Sequence, residues 1–232
     1  MRAILLAAGF GTRLRPLTDT IPKCLVPING RPLLDIWLDN LSRAGIGPFL
    51  VNTHYLSEQV EAYVRGSRFR NAVTLVHEPT LLGTAGTLLA NADFLDGGDG
   101  LLLHADNYCK PDFAAFAAAH RARPQGCVMT MMTFRTATPS SCGIVELDER
   151  GVVVGFHEKS ATPPGNLANG AIYLLSDEML RILRADYGDA ADLSTEILPH
   201  FVGRIFTYET SSFFLDIGTP ATYAQAQREG AD

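Results

Sequence analysis

Near its start the chain reads Ile4-Leu5-Leu6-Ala7-Ala8-Gly9-Phe10-Gly11-Thr12-Arg13-Leu14-Arg15. The continuous apolar run predicts a strand buried on both faces of a parallel sheet. Gly9 and Gly11 carry no side chain where the backbone must bend, so their N–H groups can approach an anion. Arg13 and Arg15 add fixed positive charge beside the loop. Strand, loop amides and guanidinium together describe a phosphate site. The dinucleotide pattern G-x-G-x-x-G fails, because Leu14 stands where the third small residue is needed. The P-loop pattern fails as well, since no Gly-Lys-Ser/Thr run follows four spacers. No convincing Ser/His/Asp or Cys/His set offers a covalent nucleophile.

Two aspartates suit a hard cation. Asp106 follows the apolar run Leu101–Leu103, and Asp216 lies in Leu-Asp-Ile-Gly; each is expected at a strand end, where such folds place ligands. Carboxylates from distant positions match Mg²⁺, which takes oxygen ligands and keeps waters and phosphates. The plain alternative for each is a turn or helix-capping aspartate.

The loop belongs to a larger set of motifs. LAAGFGTRLRPLT is followed by IPKCLVPINGRPLL, then LLGTAGTL (81–88), LLLHADNY (101–108), FHEKS (156–160), LANGAIYLL (167–175) and LDIGTP (215–220). This ordered set resembles the sugar-1-phosphate nucleotidyltransferases and covers nearly the whole chain. Within that family the likeness is greatest to short bacterial guanylyltransferases acting on D-glycero-D-manno-heptose 1-phosphate or mannose 1-phosphate.

The resemblance implies attack by a sugar-1-phosphate oxygen on the α-phosphorus of a nucleoside triphosphate, with pyrophosphate leaving and Mg²⁺ as cofactor. The nucleophile is already ionised near pH 7, so the difficulty is electrostatic. Each like-charged pair ~4 Å apart costs roughly 4 kcal/mol at an effective dielectric of 20. Cations and amides must be held in line with the reacting atoms. By resemblance Arg13, Lys23, Asp106 and Asp216 are the catalytic set. Asp106 and Asp216 hold the metal, Arg13 stabilises the departing pyrophosphate, and Lys23 lies beside the α-phosphate. Leu6, Ala7, Ala8, Gly9, Gly11, Thr12, Glu78, Leu82, Gly83 and Thr84 complete the nucleotide side. Asn107, Gly143, Glu158, Lys159 and Asn169 form the sugar-phosphate side. Two departures stand out: Ala105 precedes Asp106 where many relatives have Gly, and Cys24 stands where relatives often have Pro. Cys24 is expected to pack rather than react, and His54, His104 and His157 to pack or hydrogen-bond.

Base choice rests on Glu78 and the Leu82–Thr84 loop. Guanine presents adjacent N1–H and N2–H₂ donors, which suit a carboxylate that only accepts, whereas uracil and thymine suit the mixed amide of glutamine. Glu78 therefore favours GTP. UTP or dTTP stays open, with N-acetylmuramate 1-phosphate or glucose 1-phosphate as the sugar, because some uridylyltransferase relatives also carry glutamate there. A non-catalytic nucleotide-sugar-binding subunit and a Rossmann oxidoreductase are the remote alternatives.

These residues need a scaffold. Apolar residues at 33, 34, 37, 38 and 41 give a helix over Pro32–Ala44. Phe49–Asn52, Val73–His77 and Leu101–His104 read as strands. Ser57–Arg65 reads as a helix capped by Ser57; Thr84–Ala92 and Asp112–Arg121 are further helices. Ile144–Leu147 and Val152–His157 flank a turn and predict a hairpin. Strands Ala171–Leu175, Ile205–Tyr208 and Phe213–Leu215 follow, with helices near 177–184, 193–201 and 220–228. This alternation predicts an α/β, Rossmann-like, doubly wound fold. Its mixed, mostly parallel sheet is of the nucleotide-diphospho-sugar transferase type, with a small sugar-binding β layer. A single domain over 1–232 is expected, 1–126 mainly for nucleotide and 127–232 mainly for sugar phosphate.

Composition narrows the class. Net charge is −6 over 232 residues, which argues against a nucleic-acid surface. No long apolar segment or signal peptide is found, so a cytoplasmic protein without a membrane partner is expected. The four cysteines lack metal-ligand spacing and read as reduced thiols. No left-handed β-helix repeat is seen, so no attached acetyltransferase is expected. The family commonly forms dimers or larger homo-oligomers.

Overall fold

The computed structural model describes residues 1–95 and 97–229. Asp96 and residues 230–232 lie outside the described residues. The chain opens with β1 (Ala3–Leu6), β2 (Pro27–Ile28), β3 (Arg31–Pro32), α1 (Leu33–Arg43), β4 (Phe49–Thr53), α2 (Ser57–Gly66) and β5 (Val73–His77). Next come α3 (Gly83–Ala90), β6 (Gly100–His104), β7 (Asn107–Cys109), α4 (Phe113–Arg121), β8 (Met129–Arg135), β9 (Gly143–Leu147) and β10 (Val153–Glu158). It ends with β11 (Leu167–Leu175), α5 (Asp177–Asp186), β12 (Ile205–Glu209), β13 (Phe214–Asp216) and α6 (Pro220–Glu229).

Two compact units are built from interleaved segments. The first comprises Met1–Leu81, Leu103–Lys110 and Phe213–Asp232; the second comprises Leu82–Leu102 and Pro111–Ser212. In the first, β1 pairs in parallel with β4, Leu6 opposite Asn52, and β4 pairs in parallel with β5, Asn52 opposite Val76. Ile4, Leu5, Leu50 and Val51 are fully or nearly fully buried, as a parallel layer requires. Past the end of β6, the Ala105 N–H donates to the Leu6 carbonyl at 3.0 Å. Helix α1 buries Leu33, Leu34, Ile36, Trp37, Leu38 and Leu41. Its Trp37 satisfies its buried indole N–H by donating to the Asn107 carbonyl at 2.9 Å, which pins β7 from below.

In the second unit β9 and β10 form the expected antiparallel hairpin. Its turn is closed by Asp148 Oδ1, which accepts from the Arg150 and Val152 N–H groups at 2.9 Å each. Strand β11 pairs antiparallel with β8 and β9, while β12 pairs in parallel with β8. Strand pairing is thus parallel in the first unit and largely antiparallel in the second.

Some expected elements differ. Ser57 does not cap α2: Leu56 holds that position at φ 49, and Ser57 is already helical. Strand β11 begins at Leu167, with a register shift between Asn169 and Tyr173 where Ala171 takes φ 53. The segment near 193–201 is a wide helical turn, Leu193–Ile197, followed by a tight one, Leu198–Phe201. Among the described residues no helix is long and apolar enough to cross a membrane.

Candidate active site

The glycine loop leaves the carboxyl end of β1 and tightens at once. Gly11 adopts φ +64, and a Cβ there would lie 3.0 Å from Thr18 Cγ2 and 3.2 Å from Lys23 Cβ, so glycine is needed. The Leu14 N–H donates to the Gly11 carbonyl at 2.9 Å, closing a tight turn over Thr12–Leu14. The Thr18 hydroxyl donates to the same carbonyl at 2.8 Å. Gly9, Phe10, Thr12 and Arg13 are exposed, which leaves the loop open to a ligand.

Lys23 sits on a later tight turn, Lys23–Leu25. Pro22 enters it at φ −66 and ψ 142, and Leu25 N–H donates back to the Pro22 carbonyl at 2.8 Å. The turn buries the lysine to 6% exposure. A buried ammonium needs partners, and Lys23 has two: its Nζ lies 2.9 Å from Asp106 Oδ2 and 3.4 Å from Asp216 Oδ1. Arg13 joins from the glycine loop, 3.4 Å from Asp216 Oδ2. All four candidate catalytic residues thus meet in the first unit, although 203 positions separate Arg13 from Asp216.

Backbone pairing brings the two aspartates together. Asp106 follows β6 directly, and β7 then pairs antiparallel with β13 so that Asn107 opposes Asp216. Ile217, the residue after β13, is fully buried. Asn107 is itself buried, its carbonyl taken by Trp37.

Burial alone would raise the Asp106 pKa. The Lys23 ammonium and nearby His104, with hydrogen bonds from Lys23 and the backbone, outweigh that and hold the carboxyl below its ordinary value. Asp106 is therefore ionised at neutral pH. Cys24 is the opposite case. It is buried, and desolvation pushes its thiol up to about 12 against its own backbone hydrogen bond, with Asp106 pushing the same way. A thiol so poised packs and does not attack.

At the other end of the parallel layer, Glu78 follows β5 and is 2% exposed. Its N–H donates to the Thr53 carbonyl at 2.8 Å, and its carbonyl is 2.7 Å from His54 Nδ1. One side-chain oxygen, Oε1, accepts from Asn52 Nδ2 at 2.9 Å. Asn52 Oδ1 in turn accepts from the Ala7 N–H at 2.7 Å. Sequence reasoning passed over Asn52; the signal was a polar residue near the carboxyl end of a buried strand, Phe-Leu-Val-Asn-Thr.

The second unit holds Gly143, Glu158, Lys159, Asn169 and the Leu82–Thr84 loop. Gly143 opposes Glu158 across the hairpin, and Lys159 Nζ lies 3.6 Å from Glu158 Oε1. Lys159 takes φ 46, and its N–H donates to the Cys142 carbonyl at 3.1 Å. Asn169 Oδ1 accepts from Ala171 N–H at 2.9 Å, and its amide donates to the Tyr173 hydroxyl at 2.7 Å. The Leu82–Thr84 loop is braced by residues 191–193. Ala85 N–H donates to the Ala191 carbonyl at 2.9 Å, and Thr84 Oγ1 accepts from Leu193 N–H at 2.7 Å. Gly83, at φ +79, has that carbonyl 2.3 Å from where a Cβ would stand. His157 makes an ordinary surface contact, 2.8 Å from Glu146 Oε2.

The chain can now be set beside known proteins. It is 31% identical over 231 residues to a mannose-1-phosphate guanyltransferase of Schizosaccharomyces pombe, covering 96% of this chain and 62% of the relative. It is 31% identical over 245 residues to a UTP–glucose-1-phosphate uridylyltransferase of Synechocystis, covering 98% of this chain and 63% of the relative. The chain thus spans a little over three fifths of these relatives. Among solved structures, HddC from Yersinia pseudotuberculosis complexed with GMP-PN shares the fold at TM-score 0.82 and 23% identity, over 99% of each chain. The nucleotidyl transferase family model matches residues 2–232, all but the first residue, and the chain that closes Lys23 onto Asp106 and Asp216 belongs to that family.

Proposed function

We propose that the protein transfers GMP from GTP to a sugar 1-phosphate of the mannose or heptose type, releasing pyrophosphate and forming a nucleoside-diphosphate sugar. The observation that carries the reading is the convergence of Lys23 and Arg13 with Asp106 and Asp216 beside an open glycine loop. The family match supports nucleotidyl transfer, and the S. pombe relative named for mannose 1-phosphate supports the guanylyl direction.

The residues present fit a hard divalent cation. Asp106 and Asp216 offer oxygen alone, and Asp106 is kept ionised. Among the described residues no group of three or more His, Cys, Asp or Glu forms a closed cage. A cation there would complete its shell with water and phosphate, the habit of Mg²⁺. Bound Mg²⁺ supplies charge neutralisation and orientation of the phosphates.

The chain's own groups do the remaining work. A sugar-phosphate oxygen attacks the α-phosphorus; the new O–P bond forms as the bond to the bridging oxygen breaks and pyrophosphate departs with that electron pair. No side chain need take a proton from an oxygen that is already anionic. Lys23, rigid on its turn and desolvated, stabilises charge at the α-phosphoryl group. Arg13, exposed on the loop, meets the pyrophosphate. Gly11 and Thr12 offer main-chain N–H groups, and Glu78 accepts from the base. Glu158 and Lys159 provide for sugar hydroxyls and sugar phosphate.

A pyrophosphate-release assay crossing four nucleoside triphosphates with mannose, heptose, glucose and N-acetylmuramate 1-phosphates, with and without Mg²⁺, tests the proposal. Greatest kcat/KM for GTP with a mannose or heptose substrate supports it. Preference for UTP with glucose 1-phosphate would replace it with the second reading, which the Synechocystis relative favours.

A further inference from the structure

Strand β4 is buried from end to end, yet its fourth residue is polar. Asn52 is 3% exposed and lies between Leu6 of β1 and Val76 of β5. Its amide faces two demands of opposite sense. Oδ1 receives the N–H of Ala7, the first residue beyond β1, at 2.7 Å. Nδ2 donates to Glu78 Oε1 at 2.9 Å. Turning the amide over would set donor against donor and acceptor against acceptor, so its orientation is fixed. The Glu78 main chain is held by the two residues that follow, through the Thr53 carbonyl and the His54 ring. Asn52 holds its carboxylate.

We propose that Asn52 is a positioning residue for base selection: it ties the entrance of the glycine loop to Glu78 and fixes how that carboxylate is aimed at the nucleobase. The inference rests on the reading that Glu78 meets the base. Glutamine at position 52 would be too long for the gap and serine too short. Aspartate keeps the shape and still accepts from Ala7, but presents an acceptor to a carboxylate. It thereby breaks one bond of the relay and spares the other.

The test is the ratio of kcat/KM for GTP to that for UTP, at fixed sugar 1-phosphate, in Asn52→Asp, Asn52→Ser, Glu78→Gln and Asn52→Asp/Glu78→Gln, with Tm read for each. Glu78→Gln should lower the ratio at least about tenfold. Asn52→Asp should lower it by a similar factor and lower Tm, while KM for the sugar 1-phosphate stays within about twofold. In the double variant the glutamine amide donates to the new carboxylate, so Tm should return towards the native value while the ratio stays at that of Glu78→Gln. A purely structural Asn52 would move Tm alone. If Glu78→Gln lowers the ratio and both Asn52 variants leave it unchanged, the inference falls and the base reading survives. An unchanged ratio in Glu78→Gln overturns both. Should Asn52→Asp fail to fold, Asn52→Ser gives the same reading, because its hydroxyl cannot span to Glu78.

Discussion

Replacing Lys23 with methionine removes the charge that joins both acidic groups while keeping most of the buried stem. The 2.9 Å contact to Asp106 is a charge-assisted hydrogen bond, a class worth about 1.5–3 kcal/mol. The Asp106 side chain is 39% exposed, so solvent screening brings this down to about 1 kcal/mol. The 3.4 Å contact to Asp216, a side chain 50% exposed, adds no more than about 0.5 kcal/mol. Two like charges then face each other without an intervening cation. The expected loss near pH 7 is about 1–2 kcal/mol, a fall in Tm of roughly 2–8 °C for a chain of this size.

The pH dependence separates charge from packing. Lys23 helps hold the folded pKa of Asp106 below its unfolded value of about 3.9. That stabilisation is fully present above the unfolded pKa and is lost as pH falls through the folded one. Urea melts of the native protein and Lys23→Met should therefore differ fully above about pH 4 and converge only as pH falls further, through the lowered value of Asp106. Turnover at saturating substrates should fall about 10²–10³-fold, the usual cost of removing one preorganised donor to a developing charge. A stability gap that persists unchanged into acid would show that the lysine acts through its stem. Turnover within a few-fold of native would remove it from the proposed chemistry.

Asp106→Asn and Asp216→Asn should each cut pyrophosphate release by orders of magnitude while leaving the protein folded, Asp106→Asn with the larger fall in Tm because the buried Lys23 loses its nearer partner; near-normal rates in either would end the metal assignment for that residue. Gly83→Ala should cost roughly 2–5 kcal/mol by denaturant melts, combining a left-handed backbone with overpacking. The Ala191 carbonyl lies 2.3 Å from the new methyl, so KM for the nucleotide should rise too, and an unchanged KM would separate this loop from the nucleotide. His120 is fully buried, and burial, helped by Arg123 and opposed by Asp99, brings its pKa down to about 4. Because protons bind the unfolded chain better, stability should be complete above about pH 6.5 and decline by up to about 3 kcal/mol as pH falls towards 4. His120→Asn should flatten that slope, and an equally steep one would refute the assignment.

Local chemistry made much of the first unit legible. A strand buried on both faces is an apolar run, and β1 and β4 show one; a period near 3.6 marks α1, whose expected apolar positions are all buried. Arg13, Lys23 and Asp106 stood beside such elements. What joins Asp106 to Asp216 was not legible, because β7 and β13 are three residues each and distant in sequence. Such short segments carry no register information of their own; pairing is set by what packs beneath, here Trp37 under Asn107. Strand β8 escaped for another reason. Its Met129-Thr130-Met131-Met132-Thr133 run is buried on both faces, so it lacks alternation, and methionine lacks the β-branched or aromatic character that marks strands.

Asn52 and Lys23 share a physical logic that explains why one was read and the other passed over. Each is a buried polar group that must find partners or cost stability. A lysine between Pro22 and Pro27 in a motif-bearing loop announces itself by charge. A neutral amide inside a strand has the same obligation but no such mark, and its partners, Ala7 N–H and Glu78, are supplied by neighbouring strands. In a parallel sheet the carboxyl ends of adjacent strands lie side by side, so a polar residue at the end of one can reach the loops that follow the next two. That is where the glycine loop, the buried glutamate and the amide between them all lie, and where a buried polar residue is better placed to position a ligand-facing group than to stabilise the sheet.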